Sequence, residues 1–327
     1  MVAAARPRAL VIAPYRGPGL DKLREIADVV LDPWIDHRPL RLYNENDLAA
    51  RLRDEGCDIL ICEADRCAGA VLEVPLRAIG STRGDPTNVD LPAATAAGIP
   101  VVHAPGRNAD AVAELTIALI FAATRHVFAA DRDVRAGEMF KDQTIPYQRF
   151  RGPELRGRTA GIVGLGAIGR EVKWRLEGLG MRVIAHDPYA PDATHSLDDL
   201  LVESDVVTLH AAVTPETAGM IGPKQFALMG ANTVFVNAAR AGLHDTDALV
   251  EALSDGHIAA AALDHFPNEY LAPDHPLASM PNVVLTPHIG GATWDTEANH
   301  SRIISDDLER LLNGERPLHI ANPEVLG

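Results

Sequence analysis

The chain has 327 residues, of which 47% are hydrophobic, 5% aromatic and 23% charged. This length and composition exclude a disordered or fibrous protein and predict a globular one with two domains. The formal net charge of −15 repels phosphate backbones and anionic lipid headgroups, so we expect neither nucleic acid nor a membrane as a partner.

The three cysteines, Cys57, Cys62 and Cys67, lie in one short stretch. Their spacing does not match the tight knuckle of structural zinc sites, so we expect reduced thiols and no metal. An odd number of cysteines favours a reducing compartment, and the opening Met1–Arg8 carries no apolar leader. No apolar run approaches the roughly 18 residues that a membrane span needs. We therefore expect a cytoplasmic protein.

Short apolar runs alternate with amphipathic stretches along nearly the whole chain. This pattern predicts parallel strands joined by helices, and hence an α/β fold with two doubly wound sheets. The strand candidates of the first third are Ala9–Ala13, Val29–Leu31, Ile59–Cys62, Ala78–Ile79 and Val101–His103, with helix candidates such as Glu45–Glu55 and Leu91–Ala97 between them. Those of the second sheet are Gly161–Val163, Arg182–Ala185, Val206–Leu209, Val234–Asn237, Ala259–Leu263 and Val283–Leu285.

A long helical pattern runs from Ala111 to about Arg135 and is apolar on more than one face. A helix of that kind must be buried on several sides. Two interpretations remain open, a central core helix and a linker helix that also packs against a second subunit. One more helical pattern covers residues 293–312.

A glycine motif with G-x-G-x-x-G spacing follows the strand candidate Gly161–Val163. Its first glycine permits a tight turn, its second lets the backbone approach a pyrophosphate, and its third lets a helix pack on the strand. The N-terminus of that helix then faces the phosphates. The predicted cofactor-binding residues of this motif are Gly164, Gly166, Ala167, Ile168 and Gly169.

Asp187 ends the next strand candidate, 18 residues after Gly169. A carboxylate at this place can accept hydrogen bonds from both ribose hydroxyls and repels a 2′-phosphate. The sequence therefore predicts NAD as the cofactor in preference to NADP.

Three later strand candidates are each followed by a chemically active side chain, Arg240, Glu269 and His288. In an open parallel sheet, ligands bind beyond the carboxyl ends of the strands, so we expect these three groups in one crevice.

In these features the chain resembles the D-isomer-specific 2-hydroxyacid dehydrogenase family, which includes short D-3-phosphoglycerate dehydrogenases and glyoxylate/hydroxypyruvate reductases. The resemblance covers almost the whole chain. The matching segments, besides the glycine motif, are Asn88–Asp90, Ala113–Leu115, Thr214–Thr217, Asn237–Leu249, Ala262–Asp264 and Thr286–Gly291.

The resemblance implies hydride transfer between NAD(H) and a small D-2-hydroxy acid or 2-oxo acid. His288 is then the acid/base, Glu269 is its carboxylate partner, and Arg240 binds the substrate carboxylate. Asp264 resembles the family position that contacts the nicotinamide carboxamide, and Ala238 is expected among the cofactor-binding residues. His210 resembles a position beside the cofactor, although a histidine at a strand end is as often structural.

The resemblance also places a substrate-binding loop at Ser81, Thr82, Arg83 and Gly84. In the family this loop is usually rich in glycine and offers backbone N–H groups to the substrate carboxylate. Two interpretations of Arg83 stay open here. It enters the pocket and favours a larger or phosphorylated acid, or it faces solvent or pairs with Asp85.

The family fold implies a Rossmann NAD-binding domain inserted into a flavodoxin-like substrate domain. We expect the substrate domain at residues 1–105 and 293–327 and the NAD-binding domain at residues 106–292. A homodimer held by the region Asn108–Arg135 is also expected. An alternative is an NAD(H)-sensing protein like the C-terminal binding protein corepressors, whereas the acidic Glu269 argues against formate as the substrate.

Overall fold

Eleven parallel strands form two separate sheets in the computed structural model of the chain, which describes residues 6–327. The expectation that Met1–Arg8 carries no apolar leader falls partly on Met1–Ala5, which lie outside the described residues. The chain divides into two compact units. Unit 1 contains the residues up to Arg107 together with Thr293–Gly327, and unit 2 is Asn108–Ala292.

The sheet of unit 1 has the strand order β2-β1-β3-β4-β5. Its strands are short and apolar because both faces of the sheet are covered; in β1, for example, Leu10 and Val11 point into different core clusters. The strands are β1 (Arg8–Val11), β2 (Asp28–Leu31), β3 (Ile59–Cys62), β4 (Ala78–Ser81) and β5 (Val101–His103). The helices of this part are Gly17–Ile26, Glu45–Glu55 and Leu91–Ala96.

The C-terminal segment completes unit 1. Its helix, Trp294–Leu312, packs against the helix Gly17–Ile26 so closely that a Cβ atom on Gly19 would lie 2.2 Å from the carbonyl carbon of Ser301. The Tyr15 hydroxyl donates a 2.8 Å hydrogen bond to the carbonyl oxygen of Ser301. Farther along, the Asn322 side chain accepts a 2.8 Å hydrogen bond from the N–H of Val101 in β5.

The sheet of unit 2 has the strand order β11-β10-β9-β8-β6-β7. The order reverses between β6 and β8, and ligands of such sheets bind at the carboxyl ends of the strands at this point. The strands are β6 (Thr159–Val163), β7 (Arg182–His186), β8 (Val206–Leu209), β9 (Val234–Asn237), β10 (Ala260–Leu263) and β11 (Val283–Leu285). The helices are Ala109–Thr124, Val127–Arg135, Pro146–Arg149, Ala167–Gly178, Leu197–Glu203, Pro223–Leu228, Thr246–Ser254 and Pro276–Ser279.

The prediction of one helix from Ala111 to Arg135 is wrong. Two helices, Ala109–Thr124 and Val127–Arg135, meet there at an angle of 64°. The break is at His126, whose φ of 53° is left-handed and cannot continue a right-handed helix. The first of the two helices is a buried core helix that packs against β9, β10 and Ala167–Gly178.

Within residues 6–327, no single helix is long and apolar enough to cross a membrane. The bent pair just described reaches that length and composition only when its two parts are added.

The predicted α/β class with two doubly wound parallel sheets is confirmed. Each strand candidate overlaps an observed strand, with small shifts such as Ala9–Ala13 for the observed Arg8–Val11. The units divide after Arg107 and after Ala292, compared with expected boundaries after residues 105 and 292.

Candidate active site

The glycine loop between β6 and the helix Ala167–Gly178 has the shape that a dinucleotide needs. Gly164 has a φ of 95°, and a Cβ atom there would lie 2.6 Å from the backbone nitrogen of Ala211. A Cβ atom on Gly169 would lie 2.1 Å from the carbonyl oxygen of Gly164, whereas one on Gly166 would meet nothing within 4 Å. Gly166 and Ala167 are exposed, so the N–H groups at this helix N-terminus are accessible, and such N–H groups are a general binding site for anions.

Asp187 lies directly after β7 and is tied to this loop. One oxygen of its carboxylate accepts a 2.7 Å hydrogen bond from the Leu165 N–H, and the other accepts a 2.8 Å bond from the Tyr189 N–H. The nearby Arg170 guanidinium is paired with Asp192, at 2.7 Å. Asp187 thus keeps an acidic group at the edge of the glycine loop, and Arg170 is engaged elsewhere.

His210 follows β8, on the other side of the point where the strand order reverses. Its Nε2 lies 2.9 Å from the Thr208 hydroxyl, and its Nδ1 is buried without a hydrogen-bond partner among the described residues. Burial lowers the pKa of His210 to about 3, so this imidazole is neutral near pH 7. One buried ring nitrogen of His210 is thus left without a partner among the described residues beside the loop.

Arg240 lies in the turn after β9, and the buried Asn237 shapes this turn. The Asn237 side-chain oxygen accepts hydrogen bonds from the N–H groups of Ala239 and Arg240, at 3.0 and 3.2 Å, and its amide donates to the Arg240 carbonyl at 2.8 Å. Ala238 is buried in this turn. Within the described part of the chain, no carboxylate lies within 4.0 Å of the Arg240 guanidinium. An arginine without an acidic partner can bind the carboxylate of a ligand.

Asp264 organises the loop after β11. Its carboxylate accepts hydrogen bonds from the Thr286 hydroxyl, the Ile289 N–H and the Gly290 N–H, at 2.6, 2.9 and 2.8 Å. Its carbonyl oxygen accepts a 2.9 Å bond from the N–H of His288. Asp264 is fully buried, so its visible role is to hold the loop that carries His288.

His288 and Glu269 form a hydrogen-bonded pair. The distance from His288 Nδ1 to Glu269 Oε1 is 2.9 Å. Because a carboxylate only accepts, Nδ1 carries the hydrogen, and the lone pair of the neutral ring is on Nε2. The two side chains are 46% and 57% exposed, so the pair is open to a ligand. A cavity of about 400 Å³ adjoins it, lined by Phe266, Tyr270, Leu271 and Pro287.

His265 lies in the same cluster, and sequence reasoning assigned no role to it. Its Nε2 is 3.4 Å from Arg240 Nη1, its Nδ1 is 3.7 Å from Glu269 Oε1, and its ring centroid is 3.8 Å from that of His288. The sequence did contain a signal for it, because His265 stands between Asp264 and Glu269 after the same strand, β10.

The same cluster contains a possible set of metal ligands. His265, Glu269 and His288 offer ligand atoms within 4.8 Å of one another. The Arg240 guanidinium beside His265 opposes a second cation at this place. The expectation that the protein holds no metal stays a prediction.

The predicted substrate loop follows β4 in unit 1. Ser81 and Thr82 are fully buried, and the Ser81 hydroxyl donates a 2.8 Å hydrogen bond to the side-chain oxygen of Asn88. Gly84 is exposed, and Arg83 is half-buried. No ion pair between Arg83 and Asp85, or any other described carboxylate, is present within 4.0 Å. The alternative in which Asp85 neutralises Arg83 is therefore not realised.

Comparison with known proteins places the chain in a family. Residues 117–290 match the model of the D-isomer specific 2-hydroxyacid dehydrogenase NAD binding domain. The chain is 37% identical over 334 residues to a glyoxylate reductase of Thermofilum pendens, a match that covers 98% of this chain and 96% of the relative.

Two further comparisons extend this. The chain is 42% identical over 247 residues to a D-3-phosphoglycerate dehydrogenase of Archaeoglobus fulgidus, covering 73% of this chain but only 46% of the relative. A crystal structure of a putative D-isomer specific 2-hydroxyacid dehydrogenase from Polaromonas sp. JS6 66 matches with a TM-score of 0.84 and 29% identity over 96% of this chain and 99% of that chain.

The predictions of the family, of the Rossmann fold and of NAD as the cofactor are confirmed. The chain belongs to the D-isomer specific 2-hydroxyacid dehydrogenase family and is an NAD-dependent oxidoreductase of that family.

Proposed function

We propose that the protein reduces a small 2-oxo acid to a D-2-hydroxy acid, and catalyses the reverse reaction, with His288, Glu269 and Arg240 as its catalytic residues. The observation that carries this proposal is the His288–Glu269 hydrogen bond beside Arg240, which has no acidic partner within residues 6–327. The pair offers a proton, and the guanidinium offers a carboxylate-binding fork.

Each residue has one part in the reduction. Arg240 binds the substrate carboxylate and polarises the neighbouring carbonyl. Protonated His288 donates the Nε2 proton to the carbonyl oxygen, and Glu269 stabilises the imidazolium before that transfer. When bound, NADH supplies the hydride to the carbonyl carbon. In the oxidation, neutral His288 takes the hydroxyl proton back.

The proposed cofactor contacts lie along the strand ends of unit 2. Gly164, Gly166, Ala167, Ile168 and Gly169 hold the pyrophosphate at the helix N-terminus, and Asp187 binds the ribose hydroxyls. His210, Ala238 and Asp264 lie after β8, β9 and β10, at the sheet edge that receives the nicotinamide end.

The substrate class depends on Arg83, together with Ser81, Thr82 and Gly84 of the same loop. We propose that the Arg83 guanidinium, which pairs with none of the described carboxylates, meets a second anionic group, which favours a phosphorylated or otherwise larger 2-oxo acid. Glyoxylate, hydroxypyruvate, phosphohydroxypyruvate, pyruvate and branched analogues should be compared by NADH absorbance. Arg83→Ala should raise KM selectively for phosphohydroxypyruvate, and an unchanged KM for every accepted acid contradicts this role.

We also propose a homodimer through the helix Val127–Arg135, within the expected region Asn108–Arg135. Val127, Phe128 and Val134 are 48%, 54% and 58% exposed on it, beside a groove of about 360 Å³ that reaches the edge strand β11. Exposed apolar side chains of this kind mark protein interfaces. Light scattering should give a dimer that Phe128→Asp weakens and Val202→Asp, a change of another exposed valine, does not. A wild-type monomer at micromolar concentration contradicts the proposal.

A cytoplasmic location is proposed as well. Cys57, Cys62 and Cys67 are buried and unpaired, as suits a reducing compartment. The charge of −15 supports the absence of nucleic-acid and membrane partners. Cell fractionation tests the location.

A further inference from the structure

His265 contacts every member of the proposed catalytic set. It directly follows Asp264 at the end of β10 and is only 4% exposed. Its ring lies against His288, with the ring planes tilted by 49°, and its two nitrogens face Arg240 and Glu269. A buried polar side chain in this place affects the chemistry around it through both orientation and charge.

The neighbours of His265 define its proton position. A guanidinium can only donate, so His265 Nε2, 3.4 Å from Arg240 Nη1, presents its lone pair. The hydrogen of the neutral ring is then on Nδ1, which faces the Glu269 carboxylate at 3.7 Å. Burial, with His288 and Arg240 as further causes, lowers the pKa of His265 to about 4, against the opposing effect of Glu269 and Asp264. The ring is therefore neutral near pH 7.

A neutral group at this position keeps two opposite charges apart. If Arg240 paired directly with Glu269, the fork that binds a substrate carboxylate would be filled, and the negative charge that stabilises the His288 imidazolium would be compensated. A side chain without these two nitrogens would no longer hold the guanidinium and the carboxylate at their separate places, and the two charges would attract each other into that ion pair. The ring also limits the rotation of His288 by lying against it at a centroid distance of 3.8 Å.

We propose that His265 is a positioning residue of the proposed dehydrogenase reaction: it separates Arg240 from Glu269 and braces the His288 ring. This inference rests on the proposed function, because it needs Arg240 to bind substrate and His288 to move the proton. His265 itself exchanges no proton with the substrate.

Two variants separate this role from simple packing. His265→Phe keeps an aromatic ring but removes both nitrogens, and His265→Gln keeps an acceptor that can reach Arg240. His257→Gln, a change of an exposed histidine, is the control. The assay is steady-state reduction of glyoxylate, or of hydroxypyruvate if that is the better substrate, with NADH across the pH range.

We expect His265→Phe to raise KM for the 2-oxo acid about 10-fold while KM for NADH stays within about 2-fold, because only the carboxylate fork is lost. Reduction needs protonated His288, so its rate falls as the pH rises. In His265→Phe the falling limb should move to lower pH, since Arg240 compensates Glu269 and the imidazolium is less stable. His265→Gln should have a KM for the 2-oxo acid close to that of the wild type.

Two kinetic results overturn the inference. In one, His265→Phe has the KM values and pH profile of the wild type. In the other, His265→Phe and His265→Gln raise both KM values equally and lower the melting temperature, as expected of a purely structural residue.

A measurement without turnover separates this inference from the proposed function. Imidazole nitrogen NMR spectra of the wild type, assigned with His265→Gln, should show His265 neutral with the hydrogen on Nδ1 between about pH 5.5 and 8. Titration within this range, or a hydrogen on Nε2, overturns the inference. Failure of the wild type to reduce any 2-oxo acid instead contradicts the proposed function.

Discussion

Glu269 and His288 are joined by a 2.9 Å hydrogen bond, and both have left-handed backbones, with φ values of 54° and 55°. Residues other than glycine rarely adopt this region, and each such residue costs about 1 to 3 kcal/mol. Local hydrogen bonds hold both residues in place, since the His288 N–H donates to the Asp264 carbonyl and the Glu269 N–H to that of Phe266. The pairing is therefore built into the backbone of two separate loops.

The charge of Glu269 should set the pH range of the reaction. Glu269→Gln keeps the shape of the side chain but removes the charge that stabilises the imidazolium. We expect kcat for reduction to fall about 100-fold at pH 7.5, with the falling limb of the pH profile moved to lower pH. The exposed Glu251, changed to Gln, is the control. A wild-type pH profile in Glu269→Gln contradicts the assigned partnership.

Gly166 and Gly169 should respond differently to the same change. Gly166→Ala adds a methyl group where no atom of residues 6–327 lies within 4 Å, so it should raise KM for NADH about 10-fold without lowering the melting temperature. Gly169→Ala meets the Gly164 carbonyl oxygen and should lower stability by about 1 to 3 kcal/mol. Gly178→Ala, at the far end of the same helix, is the control. If Gly166→Ala and Gly169→Ala change the KM for NADH and the melting temperature by the same amounts, the proposed structure of the loop is wrong.

The cofactor preference should depend on Asp187. Asp187→Asn keeps an oxygen for the Leu165 N–H but removes the charge. We expect KM for NADH to rise about 10-fold and activity with NADPH to improve, because the repulsion of the 2′-phosphate is gone. Asp255→Asn, at an exposed helix end, is the control. The NADH-to-NADPH ratio of kcat/KM measures the effect, and an unchanged ratio argues against the ribose contact.

Stability should fall in mild acid because of buried histidines such as His300. Its Nε2 donates to the Pro14 carbonyl and its Nδ1 accepts from Arg107, and burial, then Arg107, lowers its pKa to about 4. Only the unfolded chain takes up this proton between about pH 7 and pH 4, so His300 destabilises the fold progressively as the pH drops, by roughly 2 kcal/mol at pH 5.

Calorimetry at pH 7 and pH 5 checks this expectation. His300→Gln should have a lower melting temperature than the wild type at pH 7. Between pH 7 and pH 5, however, its melting temperature should fall by less than that of the wild type. His257→Gln, which changes an exposed histidine, should keep the wild-type difference. If the melting temperature of His300→Gln falls between pH 7 and pH 5 by as much as that of the wild type, the role assigned to His300 is wrong.

Strand positions could be predicted because buried parallel strands are short, continuous apolar runs such as Val206–Leu209 and Val234–Asn237. The bend at His126 could not be predicted, because the apolar helical pattern continues past this residue although its backbone is left-handed.

The glycine loop was readable because its spacing reflects backbone geometry. By contrast, Ser81 was expected to bind substrate, but its hydroxyl is directed at Asn88. The roles of Asn237 and His265 depend on side-chain directions that residue spacing does not contain, even though both residues lie beside segments recognised in the sequence.

Unit 1 is assembled from the two ends of the chain, and this has a consequence for biosynthesis. The helix that faces Gly19 and the Asn322 side chain that accepts a hydrogen bond from the Val101 N–H are made only after all of Asn108–Ala292. On the ribosome, unit 2 can therefore reach its native state first. Until the C-terminal helix has been made, one face of the sheet of unit 1 stays exposed. Nascent chains stalled before Trp294 should therefore recruit chaperones to the first hundred or so residues.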